Sequence, residues 1–255
     1  MMLAPILEAT RHRIAGLPRE ADLAARTVGL PPVRDLVAAL AAEGLQVIAE
    51  MKRRSPSAGS LAPHLDPGGL ARRYVAGGAA AVSVLTEPDY FDGSLEDLRE
   101  VTAAVDVPVL RKDFTLDPRQ IWEARLSGAD AVLLIVGLLE PQGLTSLLVT
   151  AQEAGVAALV EVHDAAEAEI ALEAGAVIVG VNNRDLRTFR TDVATAVELA
   201  AIVAEAPVTV AESGVSTPAA AGRMAASGYD AVLVGEALVT ADDPARLVRA
   251  LRGGP

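Results

Sequence analysis

Asp117-Pro118-Arg119-Gln120-Ile121-Trp122-Glu123-Ala124-Arg125-Leu126-Ser127-Gly128-Ala129-Asp130-Ala131-Val132-Leu133-Leu134-Ile135-Val136 holds one complete structural unit. An acidic residue followed by proline marks a helix start, because proline's fixed φ suits the first turn and its missing N–H is not needed there. Gly128 stands just past the helix end, where a left-handed cap is wanted. The apolar residues that follow do not alternate with polar ones. They read as a strand covered on its faces, the habit of a parallel sheet packed against helices.

The unit recurs along the chain. Apolar, β-branched runs appear at Val47-Ile48-Ala49-Glu50, Ala81-Val82-Ser83-Val84-Leu85, Val107-Pro108-Val109-Leu110 and Ala131-Val132-Leu133-Leu134-Ile135-Val136. Four more are Ala158-Leu159-Val160-Glu161-Val162, Val177-Ile178-Val179-Gly180-Val181, Val208-Thr209-Val210-Ala211 and Ala231-Val232-Leu233-Val234-Gly235. Between them lie Ala- and Glu-rich segments with helical spacing, as at 164–174 and 192–205. Glycines close the helices at Gly77-Gly78, Gly155, Gly175 and Gly228, and Glu140-Pro141, Thr217-Pro218 and Asp243-Pro244 open them. Eight such units in about 210 residues predict an α/β protein, a (β/α)8 TIM barrel. An open doubly wound sheet is the competitor, but no GxGxxG follows the first strand. Residues 1–46 precede the first strand and read as an N-terminal helical extension packed on the barrel, with helices over 5–15 and 32–43. Residues 47–255 are expected to form the barrel.

Composition narrows the function. The 255 residues are 51% hydrophobic, enough for a full core, and carry a formal net charge of −12. Nucleic acid and anionic membrane both require a basic face, so neither is expected as a partner. A small anion held in a locally positive pocket remains compatible. Cysteine is absent, which fits a reducing compartment. The first thirteen residues lack the basic and apolar regions of a signal peptide, and no apolar run approaches the ~20 residues of a membrane span. A cytoplasmic location is expected. The three histidines, His12, His64 and His163, are scattered without ligand spacing, so no metal site is expected.

Two lysines stand against twenty arginines, and both lie where a strand ends: Lys52 and Lys112. Arginine clamps anions but holds its proton at ordinary pH, whereas a lysine whose pKa falls on burial can give one near neutrality. Side chains two apart on a strand share a face. Glu50 and Lys52 therefore follow Ile48, Lys112 follows Leu110, Glu161 follows Leu159, Asn182 follows Gly180, and Glu212 follows Val210. Five strand ends thus carry ionisable or amide groups with the parity of a barrel interior, with Arg184 two residues past Asn182. Barrel mouths are wet, and wetness alone accounts for one or two of these. It does not account for both lysines converging with three glutamates, which is the pattern of an acid–base site.

Glycines in Ala211-Glu212-Ser213-Gly214-Val215 and Val234-Gly235-Glu236-Ala237-Leu238 allow backbone amides to approach a ligand closely. The loops after strands seven and eight commonly hold phosphate in this fold. Several other signals read as structural. Asp242-Asp243 is a solvated helix start, Arg53-Arg54 and Arg72-Arg73 are surface charges, and Trp122 is packing. His163 follows the Glu161 strand and reads either as a partner supporting that site or as a satisfied surface group, the latter being favoured.

With these motifs in place, the sequence resembles the indole-3-glycerol-phosphate synthases of tryptophan biosynthesis from about residue 33 to residue 251. The resemblance is carried by Glu50-Met51-Lys52-Arg53-Arg54-Ser55-Pro56-Ser57, Leu110-Arg111-Lys112-Asp113-Phe114 and Glu161-Val162-His163. Val181-Asn182-Asn183-Arg184-Asp185-Leu186 and Glu212-Ser213-Gly214-Val215 complete it. It implies ring closure, decarboxylation and dehydration of 1-(2-carboxyphenylamino)-1-deoxyribulose 5-phosphate, with no metal or organic cofactor. It further implies Lys112 as the acid at the ribulose carbonyl. Glu161, Glu50 and Lys52 share the dehydration in roles left open. Ser57 would contact the carboxylate, Asn182 and Arg184 would orient the substrate, and Glu212 would hold neighbouring groups. Ser213, Gly214, Gly235 and Glu236 would bind phosphate, and Phe91, Phe114 and Leu133 would form the apolar slot for the aromatic ring. Two alternatives stay open: a Schiff-base sugar-phosphate aldolase, and a non-catalytic phosphate-binding barrel or scaffold.

Overall fold

The computed structural model describes residues 3–56, 59–185, 188 and 190–254. Eight parallel strands close on themselves in the order β1 through β8. They are β1 Gln46–Met51, β2 Ala81–Leu85, β3 Val109–Lys112, β4 Ala131–Ile135, β5 Ala157–Val162, β6 Ile178–Asn182, β7 Val208–Glu212 and β8 Ala231–Val234. Three helices precede them: α1 Leu3–Ala15, α2 Glu20–Thr27 and α3 Leu36–Leu40. The expected helix at 32–43 is shorter in the structure, because Asp35 caps it late by accepting from the Ala38 amide. Strands β3, β6 and β7 run further toward their C-terminal ends than the apolar runs suggest. The ladder therefore takes in Lys112, Asn182 and Glu212, and those side chains project from rigid backbone.

The register slips by about eight residues in one circuit of the sheet, the shear of this fold. One residue of stagger per strand sorts the inward side chains into layers of four from alternate strands. The lowest layer holds Ala81, Ala131, Ile178 and Ala231. Above it come Ile48, Leu110, Leu159 and Val210, then Ser83, Leu133, Gly180 and Leu233. The fourth layer is Glu50, Lys112, Glu161 and Glu212. The apolar layers are sealed from below by Leu36 and Leu40 of α3, which belong to the same buried cluster. The outward side chains of the strands, Met51 among them, pack against the surrounding helices in a second cluster.

Aspartates pin the strand entrances. Asp130 accepts the Val109 amide at 2.8 Å with one oxygen and the Arg34 amide at 2.8 Å with the other, tying β4 to β3 and to the segment before α3. Asp230 does the same one half-barrel later, accepting the Thr209 amide at 2.8 Å. Both follow a helix-closing glycine, so Gly-x-Asp ends a helix and aligns the next strand pair. Asp130→Ala leaves two amide donors unpaired, one of them buried, and is expected to destabilise the fold by about 1–3 kcal/mol, read from the urea unfolding midpoint.

Candidate active site

The fourth layer is the floor of a cavity of about 410 Å³ at the C-terminal end of the barrel. Lys112 lies 3.1 Å from Glu161 Oε2 and 3.4 Å from Glu212 Oε2, bridging strands β3, β5 and β7. Lys52, one residue past β1, lies 3.0 Å from Glu50 Oε1. Both lysines are close to buried, with side chains 14% and 12% exposed.

Burial works against the Lys112 ammonium, but the carboxylates of Glu161, Glu212 and Glu50 outweigh it and hold its pKa above the ordinary lysine value. A charge pair at such distances is worth about 4 kcal/mol or more at an effective dielectric of about 20, and Lys112 has two close partners. This overturns the expectation of a lysine pKa lowered toward neutrality. Burial does lower it, but the ring of acids that makes the site also reverses the shift. Burial likewise raises Glu161, yet Lys112, His163 and the Asn182 amide pull it well below the usual carboxylate range. Glu212 goes the other way. Burial, with the nearby charges of Glu161 and Glu50, outweighs Lys112 and pushes its pKa up to about 8.

Glycine makes room for two of these acids. A Cβ at Gly180, one layer below, would collide with Glu212 Oε1, and a Cβ at Gly235 would collide with Glu50 Oε1. On the β6–β8 side, Ser213 and Gly214 both have positive φ, 60° and 79°. The turn brings successive amides to the cavity wall, as in anion-binding nests. Asn183 holds this turn, donating from Nδ2 to the carbonyls of Glu212 and Ser213 at 3.0 Å each. A Cβ at Gly214 would strike Thr191 and Val193. Helix Glu236–Val239 starts at Gly235, so its first amides have no partner within the helix. On the β2–β4 side the wall is apolar, with Leu85, Leu133, Ile135 and the tilted pair Phe91 and Phe114, ring centres 6.4 Å apart.

The N-terminal extension reaches this cavity. Leu3 and Ile6 of α1 line it. Arg13 lies 3.0 Å from both Glu87 and Asp89 and 3.8 Å from Asp113, next to Lys112. Glu87, fully buried, accepts the amides of Asp89, Tyr90 and Phe91 and so caps the short helix Pro88–Phe91. Among the described residues no group of three or more His, Cys, Asp or Glu is arranged to hold a metal ion. No helix among them is long and apolar enough to cross a membrane.

The sequence profile of the indole-3-glycerol phosphate synthase family matches residues 3–251. The chain belongs to this family. A relative from Parafrankia sp. bearing that name is 51% identical over 249 residues, covering 96% of this chain and 93% of its own. Another from Kineococcus radiotolerans is 56% identical over 205 residues, covering 80% and 75%. Among solved structures, 3-hexulose-6-phosphate synthase from Salmonella typhimurium is similar with a TM-score of 0.66 at 19% identity, covering 82% of this chain and 97% of its own. Thiamine phosphate pyrophosphorylase from Pyrococcus furiosus gives 0.64 at 19% identity, covering 86% and 96%. At that identity the likeness concerns the fold alone.

Of the site residues expected from sequence, Glu50, Lys52, Phe91, Lys112, Phe114, Leu133, Glu161, Asn182, Arg184, Glu212, Ser213, Gly214, Gly235 and Glu236 all line the one cavity. Ser57 lies outside the described residues. Two readings need correction. Arg53 is not a free surface charge: it pairs with Asp97 and donates to the Leu65 carbonyl, clamping the segment after β1. Nor is His163 a surface group. Its side chain is 14% exposed and lies between Glu161 and Glu167. Glu87, Arg13 and Asn183 were not singled out. Glu87-Pro88 carries the same polar–proline signature as the recognised helix starts and could have been found. Arg13 and Asn183 act across long sequence separations and leave no local signature.

Unfolded, Glu212 ionises near its ordinary value; folded, it keeps its proton to about 8. In that window the folded state binds the extra proton, so stability falls as pH rises through it. Glu212→Gln removes this penalty. Its stability relative to the parent is expected to rise between about pH 5 and about pH 9, by about 1.4 kcal/mol per unit of raised pKa. Urea unfolding at the two pH values checks this; a pH-independent difference contradicts a protonated Glu212.

Proposed function

We propose that this cavity converts 1-(2-carboxyphenylamino)-1-deoxyribulose 5-phosphate to indole-3-glycerol phosphate, carbon dioxide and water by acid–base catalysis. The observation that carries the reading is the polar layer. Two ammonium groups on separate strands, each against its own carboxylates, face an apolar wall on one side and an amide-rich turn on the other. The reaction protonates two oxygens, the ribulose carbonyl during ring closure and the hydroxyl that leaves as water. Lys112 in the layer and Lys52 just above Glu50 suit those two needs.

In this reading the phosphate sits against the Ser213–Gly214 turn and the Gly235–Glu236 amides, and the aromatic ring lies between Phe91, Phe114 and Leu133. Asn182 and Arg184 orient the chain that joins them. Lys112 protonates the carbonyl oxygen as the ring carbon bearing the carboxylate attacks, forming the new carbon–carbon bond. Loss of carbon dioxide returns its electron pair to the ring. Lys52, braced by Glu50, protonates the departing hydroxyl, and Glu161, held ionised, takes the ring-side proton. Glu212, protonated at neutral pH and 3.4 Å from Lys112, is placed to reload the spent lysine. The raised Lys112 pKa in the free enzyme keeps the acid fully loaded. The strongly basic alkoxide that develops at the carbonyl oxygen during ring closure supplies the drive for transfer.

The partner implied is a small sugar phosphate, and a cytoplasmic location is part of the proposal. Association with other tryptophan-pathway enzymes is carried by nothing in the fold. A Schiff-base aldolase would also use a buried lysine, but Lys112 is held as an ammonium against the ionised Glu161, the opposite of a free amine nucleophile.

Product formation is followed by indole fluorescence from the carboxyphenylamino-ribulose phosphate. Lys112→Ala is expected to lower turnover by about 10²–10⁴-fold, the usual loss of a general acid. Lys112→Arg should fail nearly as badly, since a planar guanidinium does not take the place of a compact ammonium between Glu161 and Glu212. No fluorescence rise from the folded parent protein, or an active Lys112→Arg enzyme, removes this reading.

A further inference from the structure

Lys112 donates to Glu161 at 3.1 Å and lies 3.4 Å from Glu212, so the shared cation leans toward Glu161. A difference of a few tenths of an ångström is not all that sets the two acids apart. What also differs is the second oxygen of each acid. Glu212 Oε1 is buried without a hydrogen-bond partner. Glu161 Oε1 accepts from Asn182 Nδ2 at 2.9 Å and faces His163 Nε2 at 3.3 Å. The His163 contact is poorly aligned for a hydrogen bond, so it acts through charge.

His163 is itself held from behind. Glu167, in the first turn of helix Ala165–Glu173, accepts the His163 backbone amide at 2.8 Å and lies 3.0 Å from ring Nδ1. Each ring nitrogen therefore faces a carboxylate, an arrangement suited to the doubly protonated ring. Glu161 and Glu167, despite the cost of burial, raise the imidazole pKa to about 10. The groups bearing on Glu161 and His163 are Lys112 from β3, Glu212 from β7, Glu50 from β1, Asn182 from β6 and Glu167 from the following helix. Asp164, beside His163, is turned to the Glu167 amide, which it caps. Lys112 already leans toward Glu161, and the imidazolium is a second cation that bears on Glu161 and not on Glu212.

We propose that His163 is a positioning residue whose charge, braced by Glu167, selects Glu161 as the ionised carboxylate and leaves the proton on Glu212. The proposal rests on the reading above in which Glu161 acts as the base. Glu161 lies on β5 and His163 is the first residue past its end, so the chain itself keeps the two close. Glu167 is four residues past His163, within reach from the first helical turn. The device is thus built into Glu161-Val162-His163-Asp164-x-x-Glu167, with one strand end and one helix start supplying all its parts.

The test compares pH profiles of kcat/KM for the parent, His163→Gln, Glu167→Gln and Glu161→Gln. An opposite charge at such distance shifts a carboxylate by about 1–3 pH units. In His163→Gln the acidic limb is expected to move upward by about one unit or more. Glu167→Gln should move it the same way by less, since the imidazole remains. Site-specific infrared or carbon NMR titration of Glu161 in the resting protein gives the same shift without turnover. A merely structural role would lower kcat with the limb and the Glu161 titration in place, and that result overturns the proposal. An active Glu161→Gln enzyme instead removes Glu161 as base, and with it the function reading. An inactive Glu161→Gln beside an unmoved His163→Gln titration removes only the role given to His163.

Discussion

An ammonium group buried among carboxylates, on top of a dry barrel, is the interaction on which the rest of the structure depends. The layers beneath it are apolar apart from the buried Ser83 hydroxyl and closed from below by α3, so the Lys112 charge has no route to bulk water through the barrel. The charges that set its proton affinity are those of Glu161, Glu212 and Glu50. In such surroundings charges interact far more strongly than in water, and an unpaired one is far more costly. The same desolvation raises both of its glutamate neighbours, and the unequal charges and hydrogen bonds around them drive the two apart in proton affinity. A carboxylate that is ionised and one that is protonated can then coexist on one cation.

The scaffold accommodates this layer by subtraction. Gly180 in the layer below and Gly235 at the end of β8 leave the volumes that the Glu212 and Glu50 carboxylates fill. The reacting groups therefore rise from strands, or from the first residue past one, where the ladder limits their movement. The cavity walls beside them come in part from loops: the Ser213–Gly214 turn pinned by Asn183, and the Phe91 helix capped by Glu87. Rigid donors on strands and shaped contacts on loops are the division expected where preorganised charge does the chemistry.

The N-terminal extension belongs to this arrangement and is more than a cover. Arg13 of α1 bridges Glu87, which holds the Phe91 helix, and Asp113, which follows Lys112. Asp113 in turn accepts from Thr86 and pairs with Arg111. The network joins α1 to the ends of β2 and β3, so the apolar wall and the acid are positioned together. Leu3 and Ile6 complete the wall from the same helix.

Much of this was legible in the chain itself. Unalternating apolar runs, proline at helix starts and glycine past helix ends report local backbone preferences, and these identified the barrel. The two-residue period of a strand put Glu50, Lys112, Glu161, Asn182 and Glu212 on the inner face, because that parity is a covalent consequence of the pleat. What the tertiary structure decided is the state of those groups. Lys112 was expected to have a lowered pKa and instead has a raised one, since the shift depends on acids brought from strands far along the chain. His163 looked like a surface group until the helix start at Asp164 folded Glu167 back onto it. The parity of a side chain is set within two residues, whereas its proton is set by every charge that folding gathers around it.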